Sequence, residues 1–147
     1  CDDSKAAAGL MAMEFCWPVR VYYEDTDSGG VVYYANYLKF MERCRTEWLR
    51  DLGFEQDHLI AEDRVIFAVR SIAVDYLKPA LFNDALTVGV TVQKLGRVAI
   101  DFKQTIRRGE ELLCEGEVRL ATLDVDTMRP RALPGKIAEK IESFRAD

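Results

Sequence analysis

Apolar residues recur along this chain with two different periods, and the switches between them divide it into elements. The stretch FCWPVRVYYED, Phe15 to Asp25, is aromatic and β-branched, which predicts a strand. Pro18 lacks a ladder donor, so this strand belongs at a sheet edge or near its own start. From Tyr33 to Leu52 the spacing changes. Tyr37, Met41, Cys44 and Trp48 fall at steps of three and four, with Phe40 and Leu52 alongside, which predicts a long, nearly all-round apolar helix. Gly53 supplies its stop. EQDHLIAED, Glu55 to Asp63, adds a short second helix.

Four strands follow. Val65 to Leu77 is apolar on both alternate sets except at Arg70, Ser71 and Asp75, which predicts burial on both faces. Leu86 to Gln93, Val98 to Ile106 and Leu112 to Leu120 each alternate with one apolar face. Gly96 and the RRGEE around Gly109 read as hairpin turns. After Pro134, Ile137, Ile141 and Phe144 mark a short amphipathic helix. The expected class is α+β, with a curved antiparallel sheet wrapped on the long helix. Periodicity does not place the first strand in that sheet.

Composition narrows the class. A length of 147 residues suits one domain with one core. With 49% hydrophobic and 31% charged residues, the composition is that of a soluble globular protein. No apolar run approaches the roughly 20 residues of a membrane helix. The net charge of −5 argues against a general nucleic-acid binder. Cys1, Cys16, Cys44 and Cys114 have no CxxC spacing, and the single His58 makes a zinc site improbable. Reduced thiols and a cytoplasmic location are the expectation. The opening CDDSKAAAGLMA carries no pattern, so residues 1–12 are expected to be a disordered leader or a cloning remnant. A single domain is expected over 13–147.

The change from strand to helix falls inside VYYEDTDSGGVVYYANYLKF, Val21 to Phe40. There Asp27 stands beside Gly29 and Gly30, whose missing Cβ atoms let backbone approach a ligand closely. The helix start offers unpaired N–H groups and the positive end of a dipole. These parts suit acyl transfer. A backbone N–H at a developing oxyanion is worth ~3–4 kcal/mol of barrier, and a carboxylate can act as base on water or as nucleophile. A turn with an aspartate cap explains the same spacing, and for a short motif taken alone it is the commoner outcome.

WPVRVYYEDTDSGGVVYYANYLKFMERCRTEWL resembles the signature segment of the hot-dog acyl-CoA thioesterases related to 4-hydroxybenzoyl-CoA thioesterase. Within that family it is most similar to the Tol-Pal-associated acyl-CoA thioesterases. The likeness continues through VIFAVRSIAVDYLKPALFNDAL and ends with DVDTMRPRALP, so it covers Trp17 to Pro134. The resemblance implies a hot-dog fold and assembly as dimers or tetramers with active sites near the subunit interface. It implies hydrolysis of acyl-CoA to a carboxylic acid and free CoA, with no metal and no cofactor beyond the CoA of the substrate. The second Asp of the family's DxD maps to Asp27 as the catalytic carboxylate. The backbone N–H that polarises the thioester carbonyl maps to Tyr34. With those roles assigned, Gly30 and Tyr33 are taken as substrate-binding positions, and the aromatic run Tyr22, Tyr23, Tyr33, Tyr34 and Tyr37 is expected to line the pocket, core packing being the alternative for several of them. One departure stands out. The Tol-Pal-associated group usually carries His where this chain has Tyr34. A backbone donor survives that change, but a side-chain role does not, because phenol titrates near about 10 and imidazole near about 6.5.

Other candidates take structural readings. Asp25 is assigned to the turn. Glu42 and Glu47 lie on the long helix, from which some other hot-dog thioesterases draw their carboxylate; here Arg45 is the expected ion-pair partner of Glu42. Asn36 reads as an early-helix hydrogen-bonding residue and His58 as exposed. Ser28 has no His partner. The phosphates of CoA need cations, for which Arg70, Lys94, Arg97, Arg129 and Arg131 are available, with Arg97 preferred beside the Gly96 turn. An acidic acyl carrier protein is an alternative thioester donor that would want the same cations. The rival reading, from another class, is a carrier-binding or envelope-system scaffold on the same fold with little turnover.

Overall fold

The computed structural model describes residues 14–146, with side chains through Phe144. The expected leader, residues 1–12, lies outside the described residues. Strand β1 runs Glu14–Arg20, helix α1 Tyr34–Asp51, and a short helix α2 Gln56–His58 continues as a π-type turn over Leu59–Asp63. Strands β2 Val65–Tyr76, β3 Ala85–Leu95, β4 Ala99–Arg108 and β5 Glu111–Asp124 follow, and helix α3 Gly135–Ala146 closes the order.

One antiparallel sheet has the order β1-β3-β4-β5-β2. Strands β3, β4 and β5 are joined by the hairpins expected at Gly96 and Gly109. Gly109 has φ +62°, the left-handed backbone that favours glycine at a tight turn. Strand β1 is an edge strand, as Pro18 requires. Strand β2 crosses to the opposite edge and pairs with β5, Tyr76 lying opposite Cys114 and Val65 opposite Asp124.

Helix α1 lays one stripe on the sheet. Tyr37, Phe40, Met41, Cys44, Trp48 and Leu49 are buried. They face alternate residues of β3 and β4, among them Val88, Val90, Ile100, Phe102 and Ile106. The helix is not apolar all round, because Lys39, Glu42 and Arg43 remain exposed. The core therefore lies in one layer between α1 and the concave face, with α3 adding Ile137 and Ile141.

Two expectations need correction. Strand β2 is not buried on both faces. Val69 is 51% exposed and Tyr76 46%, because β2 is the outer strand and one of its backbone edges has no neighbour in the sheet. Cys44 and Cys114 carry free, buried thiols pushed up to about 12 by desolvation. Cys16, in contrast, is disulfide-bonded, so the expectation of reduced thiols does not hold there.

Candidate active site

The segment between β1 and α1 is tied by short-range bonds that follow from its residue types. A 3₁₀ turn covers Tyr23–Asp25, and the Asp25 Oδ2 accepts the Tyr22 N–H at 2.9 Å. The Thr26 hydroxyl donates to the Tyr23 carbonyl at 2.7 Å. The chain then reverses on itself. Asp27 N–H donates to the Val31 carbonyl at 2.9 Å, and Gly30 N–H donates to the Asp27 carbonyl at 3.1 Å. Gly30 sits at φ +79°, which only glycine adopts without strain. Its Cβ position is open, with no heavy atom within 4 Å, so here glycine serves the backbone turn. Asp27 Oδ1 accepts the Gly29 N–H at 2.8 Å, an aspartate turn that fixes the carboxylate outward on an exposed residue.

The loop is stitched to the helix at one carbonyl. Asp25 O accepts the Tyr33 N–H at 3.1 Å and the Asn36 Nδ2 at 2.7 Å. Asn36 is buried, so this bond is shielded from water. The β2–β3 connection supports the same loop from below, with Phe82 N–H on the Gly30 carbonyl at 3.0 Å and Val32 N–H on the Ala80 carbonyl at 2.9 Å. Arg108 anchors that connection by bonding Asp84 at 2.7 Å and Glu111 at 2.8 Å.

Helix α1 opens at Tyr34 with no side-chain cap from Tyr33. The Asn36 N–H of its first turn donates to the Tyr33 carbonyl at 2.8 Å, while the Tyr34 and Ala35 N–H groups precede any intrahelical acceptor and lie at the positive end of the helix dipole. Tyr76 on β2 reaches this turn, its hydroxyl donating to the Tyr34 carbonyl at 3.2 Å. The rings of Tyr33 and Tyr34 lie 4.7 Å apart, and Tyr76 meets Tyr34 and Tyr37 edge-on at 6.2 and 5.3 Å. The Tyr33 phenol is pushed up by its contact with the Tyr34 hydroxyl. The exposed Asp27 carboxylate thus lies on a hydrogen-bonded loop that leads directly into this helix start, where Tyr33, Tyr34 and Tyr76 cluster. Such a surface can orient a water and polarise a carbonyl.

The sequence profile of the thioesterase superfamily matches residues 29–115. The chain belongs to the thioesterase superfamily. It is 44% identical to the acyl-CoA thioesterase YbgC of Haemophilus influenzae over 84% of this chain and 90% of that protein. It is 46% identical to the acyl-CoA thioester hydrolase YbgC of Escherichia coli over 87% of this chain and 96% of that one. Among solved structures, a probable thioesterase from Bartonella henselae is 35% identical with a TM-score of 0.79, over 82% of this chain and 99% of that chain. The helix on a five-stranded antiparallel sheet is the hot-dog fold that the resemblance implied.

Seen as a thioesterase, the chain brings some of the expected residues together and separates others. Asp27 and Gly30 bond each other within the loop, and Tyr33 and Tyr34 stack at the helix start that follows it. Asp25 is structural, through both its side chain and its carbonyl. Tyr37 is drawn into the core, where its hydroxyl accepts the Ala80 N–H at 2.9 Å. Arg97 is exposed at the β3–β4 turn, whose Val98 carbonyl bonds Thr122, the partner of Phe67 on β2. From Phe67 to Tyr76 the strand covers about 30 Å, so Arg97 stands at the other end of its own sheet from Tyr34. Arg131 is held by Asp124 at 2.7 Å. Glu47 pairs with Arg50, and His58 is exposed. Glu42 does not pair with Arg45. Arg45 turns inward and donates to Gln104 Oε1 at 2.8 Å. Among the described residues no group of three or more His, Cys, Asp or Glu is placed to hold a metal ion.

Sequence reasoning missed Tyr76 and undervalued Asn36. The first lies 42 residues from Tyr34, and no local pattern links them. The second had a signal, since a buried amide in the first turn of a helix needs partners.

Proposed function

We propose that this thioesterase hydrolyses acyl-CoA, water adding to the thioester carbonyl and the C–S bond breaking to give a carboxylic acid and CoA thiol. Asp27 accepts a proton from the attacking water or attacks the carbonyl itself. The Tyr34 N–H holds the oxyanion. The observation that supports this reading is the tie at Asp25, whose one carbonyl accepts from Tyr33 and Asn36 and so joins the loop that carries Asp27 to the start of α1. The YbgC relatives bear the matching activity in their names. No cofactor enters, because a thioester is already an activated acyl donor. The acyl-CoA pool makes the cytoplasm the expected compartment.

The same reading needs a second copy. Val69, Ile72 and Tyr76 of strand β2, and Leu77 just beyond it, are exposed along an edge with no neighbour in the sheet. Two such edges pairing about a two-fold axis cover them and continue the sheet. Because the pairing is antiparallel, the Arg97 end of one copy comes to the Tyr34 end of the other. In this arrangement Arg97 meets the phosphates of CoA across the pair. An acyl carrier protein, also anionic, would meet the same cation as an alternative donor.

Thiol release from short, long and aromatic acyl-CoAs, with wild type and Asp27→Asn side by side, tests the mechanism. The variant is expected to lose at least ~100-fold in turnover. If no thioester is cleaved, or the variant matches wild type, the fold serves as a binding module and Asp27 belongs to the turn.

A further inference from the structure

Tyr76 ends strand β2 at the first turn of α1, where its hydroxyl donates to the Tyr34 carbonyl at 3.2 Å. Its backbone is fixed on both sides. It pairs with Cys114 on β5, and the next two residues, Leu77 and Lys78, both donate to the Leu113 carbonyl, at 2.8 and 3.0 Å. Its ring meets Tyr34 edge-on at 6.2 Å and Tyr37 at 5.3 Å. Tyr37 is buried, and its hydroxyl accepts the Ala80 N–H at 2.9 Å. Packing and the sheet ladder therefore place the Tyr76 phenol, and the bond to Tyr34 is made by a group already in position. Burial pushes that phenol above the ordinary 10.0, so it remains a donor at neutral pH.

The Tyr34 carbonyl does not need this bond to be satisfied. As the first residue of α1, Tyr34 already offers its oxygen to the N–H four residues on, at Leu38. What the extra donor changes is the rest of the peptide group. That carbonyl and the Ala35 N–H belong to one resonant amide. A donor on the oxygen draws electron density toward it and makes the N–H at the other end a stronger donor. Hydrogen bonds linked in this way strengthen one another by roughly 10–30% per bond. The Ala35 N–H is in a position to use the gain. The Tyr33 N–H goes to the Asp25 carbonyl and the Asn36 N–H to the Tyr33 carbonyl, whereas the N–H groups of Tyr34 and Ala35 have no acceptor among the described residues. Successive N–H groups of a first helical turn point the same way and can share one anionic oxygen.

Resting on the thioesterase reading above, we infer that the Ala35 N–H joins the Tyr34 N–H as a second oxyanion donor, and that Tyr76 is a positioning residue that strengthens it through the Tyr34–Ala35 peptide. Tyr76 then touches no substrate atom. Its effect grows with the charge on the substrate oxygen, so it belongs to the rate and not to binding. The test replaces Tyr76 with Phe and, through a reassigned codon, with 3-fluorotyrosine, whose more acidic phenol is the stronger donor. Single-turnover rates are measured at mildly acidic pH on the best acyl-CoA of the panel above. The ketone analogue of that ester, with CH2 in place of sulfur and a ¹³C label on the carbonyl, reports polarisation directly through its infrared stretch in the bound state. Tyr76→Phe is expected to slow the single-turnover rate by about 3- to 5-fold at unchanged KM, the effect of one modest hydrogen bond. It should also reduce the downward shift of the bound carbonyl stretch. The 3-fluorotyrosine protein should equal or exceed wild type in both. Equal rate and stretch in wild type and Tyr76→Phe would overturn the inference. So would a 3-fluorotyrosine protein as slow as Tyr76→Phe, since packing alone would then explain the residue. The route is tested by lactic acid at position 35, which puts an ester where the N–H was. In that background Tyr76→Phe should cost nothing further, and a full 3- to 5-fold loss there would show that Tyr76 does not act through Ala35. Failure of the thioesterase reading looks different: no ester of the panel is cleaved, or the ketone stretch does not move on binding to wild type, and the inference falls with it.

Discussion

The chain contains two Asp-x-Asp turns, Asp25 to Asp27 and Asp124 to Asp126, and they have opposite surroundings. Asp124 accepts the Asp126 N–H at 2.8 Å and the Thr127 N–H at 3.0 Å, and Arg131 pairs with it at 2.7 Å. Those two amides, and after them the Arg131 guanidinium, hold its carboxyl at about 2. Asp126 is taken by Arg64 at 2.6 Å. The second turn is thus saturated, and it braces the end of β5 against the MRPR segment. The first turn has the same start and a different end. Asp27 accepts one amide, from Gly29, and no described Lys or Arg lies within ion-pair distance of it. A carboxylate already neutralised by a cation is a poor base and a poor nucleophile. Asp27, held by a single amide, keeps lone pairs that no described side chain occupies.

The contrast can be broken most severely at Asn36. Asn36→Ala removes the buried tie to the Asp25 carbonyl and leaves that oxygen with one donor fewer. A cost of about 1–3 kcal/mol in stability is expected, read by urea unfolding. Activity should fall in kcat more than in KM, because what is lost is the placing of Asp27. A drop in KM terms alone would mean that Asn36 only lines a binding surface.

Asp124→Asn sharpens the contrast through pH. The folded-state carboxyl is held at about 2, below its ordinary 3.8. A depressed folded value means that Asp124 stabilises the fold fully above the ordinary value and loses that contribution as pH falls through the folded one. The gap in melting temperature between wild type and Asp124→Asn should therefore be widest near neutrality. It should close as pH falls from about 4 to about 2. A gap independent of pH would show that packing, not charge, explains the second turn.

The smallest effect is expected at Tyr76. Tyr76→Phe keeps the ring contacts with Tyr34 and Tyr37 and loses one exposed hydrogen bond to the Tyr34 carbonyl. Stability should change by about 1 kcal/mol or less. Turnover should fall modestly at unchanged fold, measured as kcat on the best acyl-CoA. No change in kcat would leave Tyr76 as wall and not as a brace for the oxyanion donor.

Much of the architecture can be read from residue order. Tyr37, Met41, Cys44 and Trp48 mark the buried stripe of α1, and Gly96, Gly109 and Pro18 mark two hairpins and an edge. These features are local, and local spacing carries them. The place of β2 is not local. Its apolar residues on both alternate sets suggest a central strand, yet it lies at the edge, because its sheet neighbour is β5, the last strand of the chain and not the next one. Arg45 shows the same limit on a smaller scale. Glu42 stands three residues before it on one helix, but Gln104, on β4, takes the guanidinium. Of the candidate site, Asp27 and the helix start are legible as chemistry in the sequence, and the tie of Tyr33 and Asn36 to the Asp25 carbonyl is not. Two Asp-x-Asp turns look alike in sequence. Only the distant partner Arg64 and the local loop of Arg131 tell them apart.

The most direct test sets those two turns against each other. Thiol release from the best acyl-CoA is measured for wild type, Asp27→Asn and Asp124→Asn at neutral pH, each variant checked for folding by its far-UV circular dichroism. The account predicts a loss of at least ~100-fold for Asp27→Asn and retained turnover for Asp124→Asn. Retained turnover in Asp27→Asn, or equal losses in both, would contradict it.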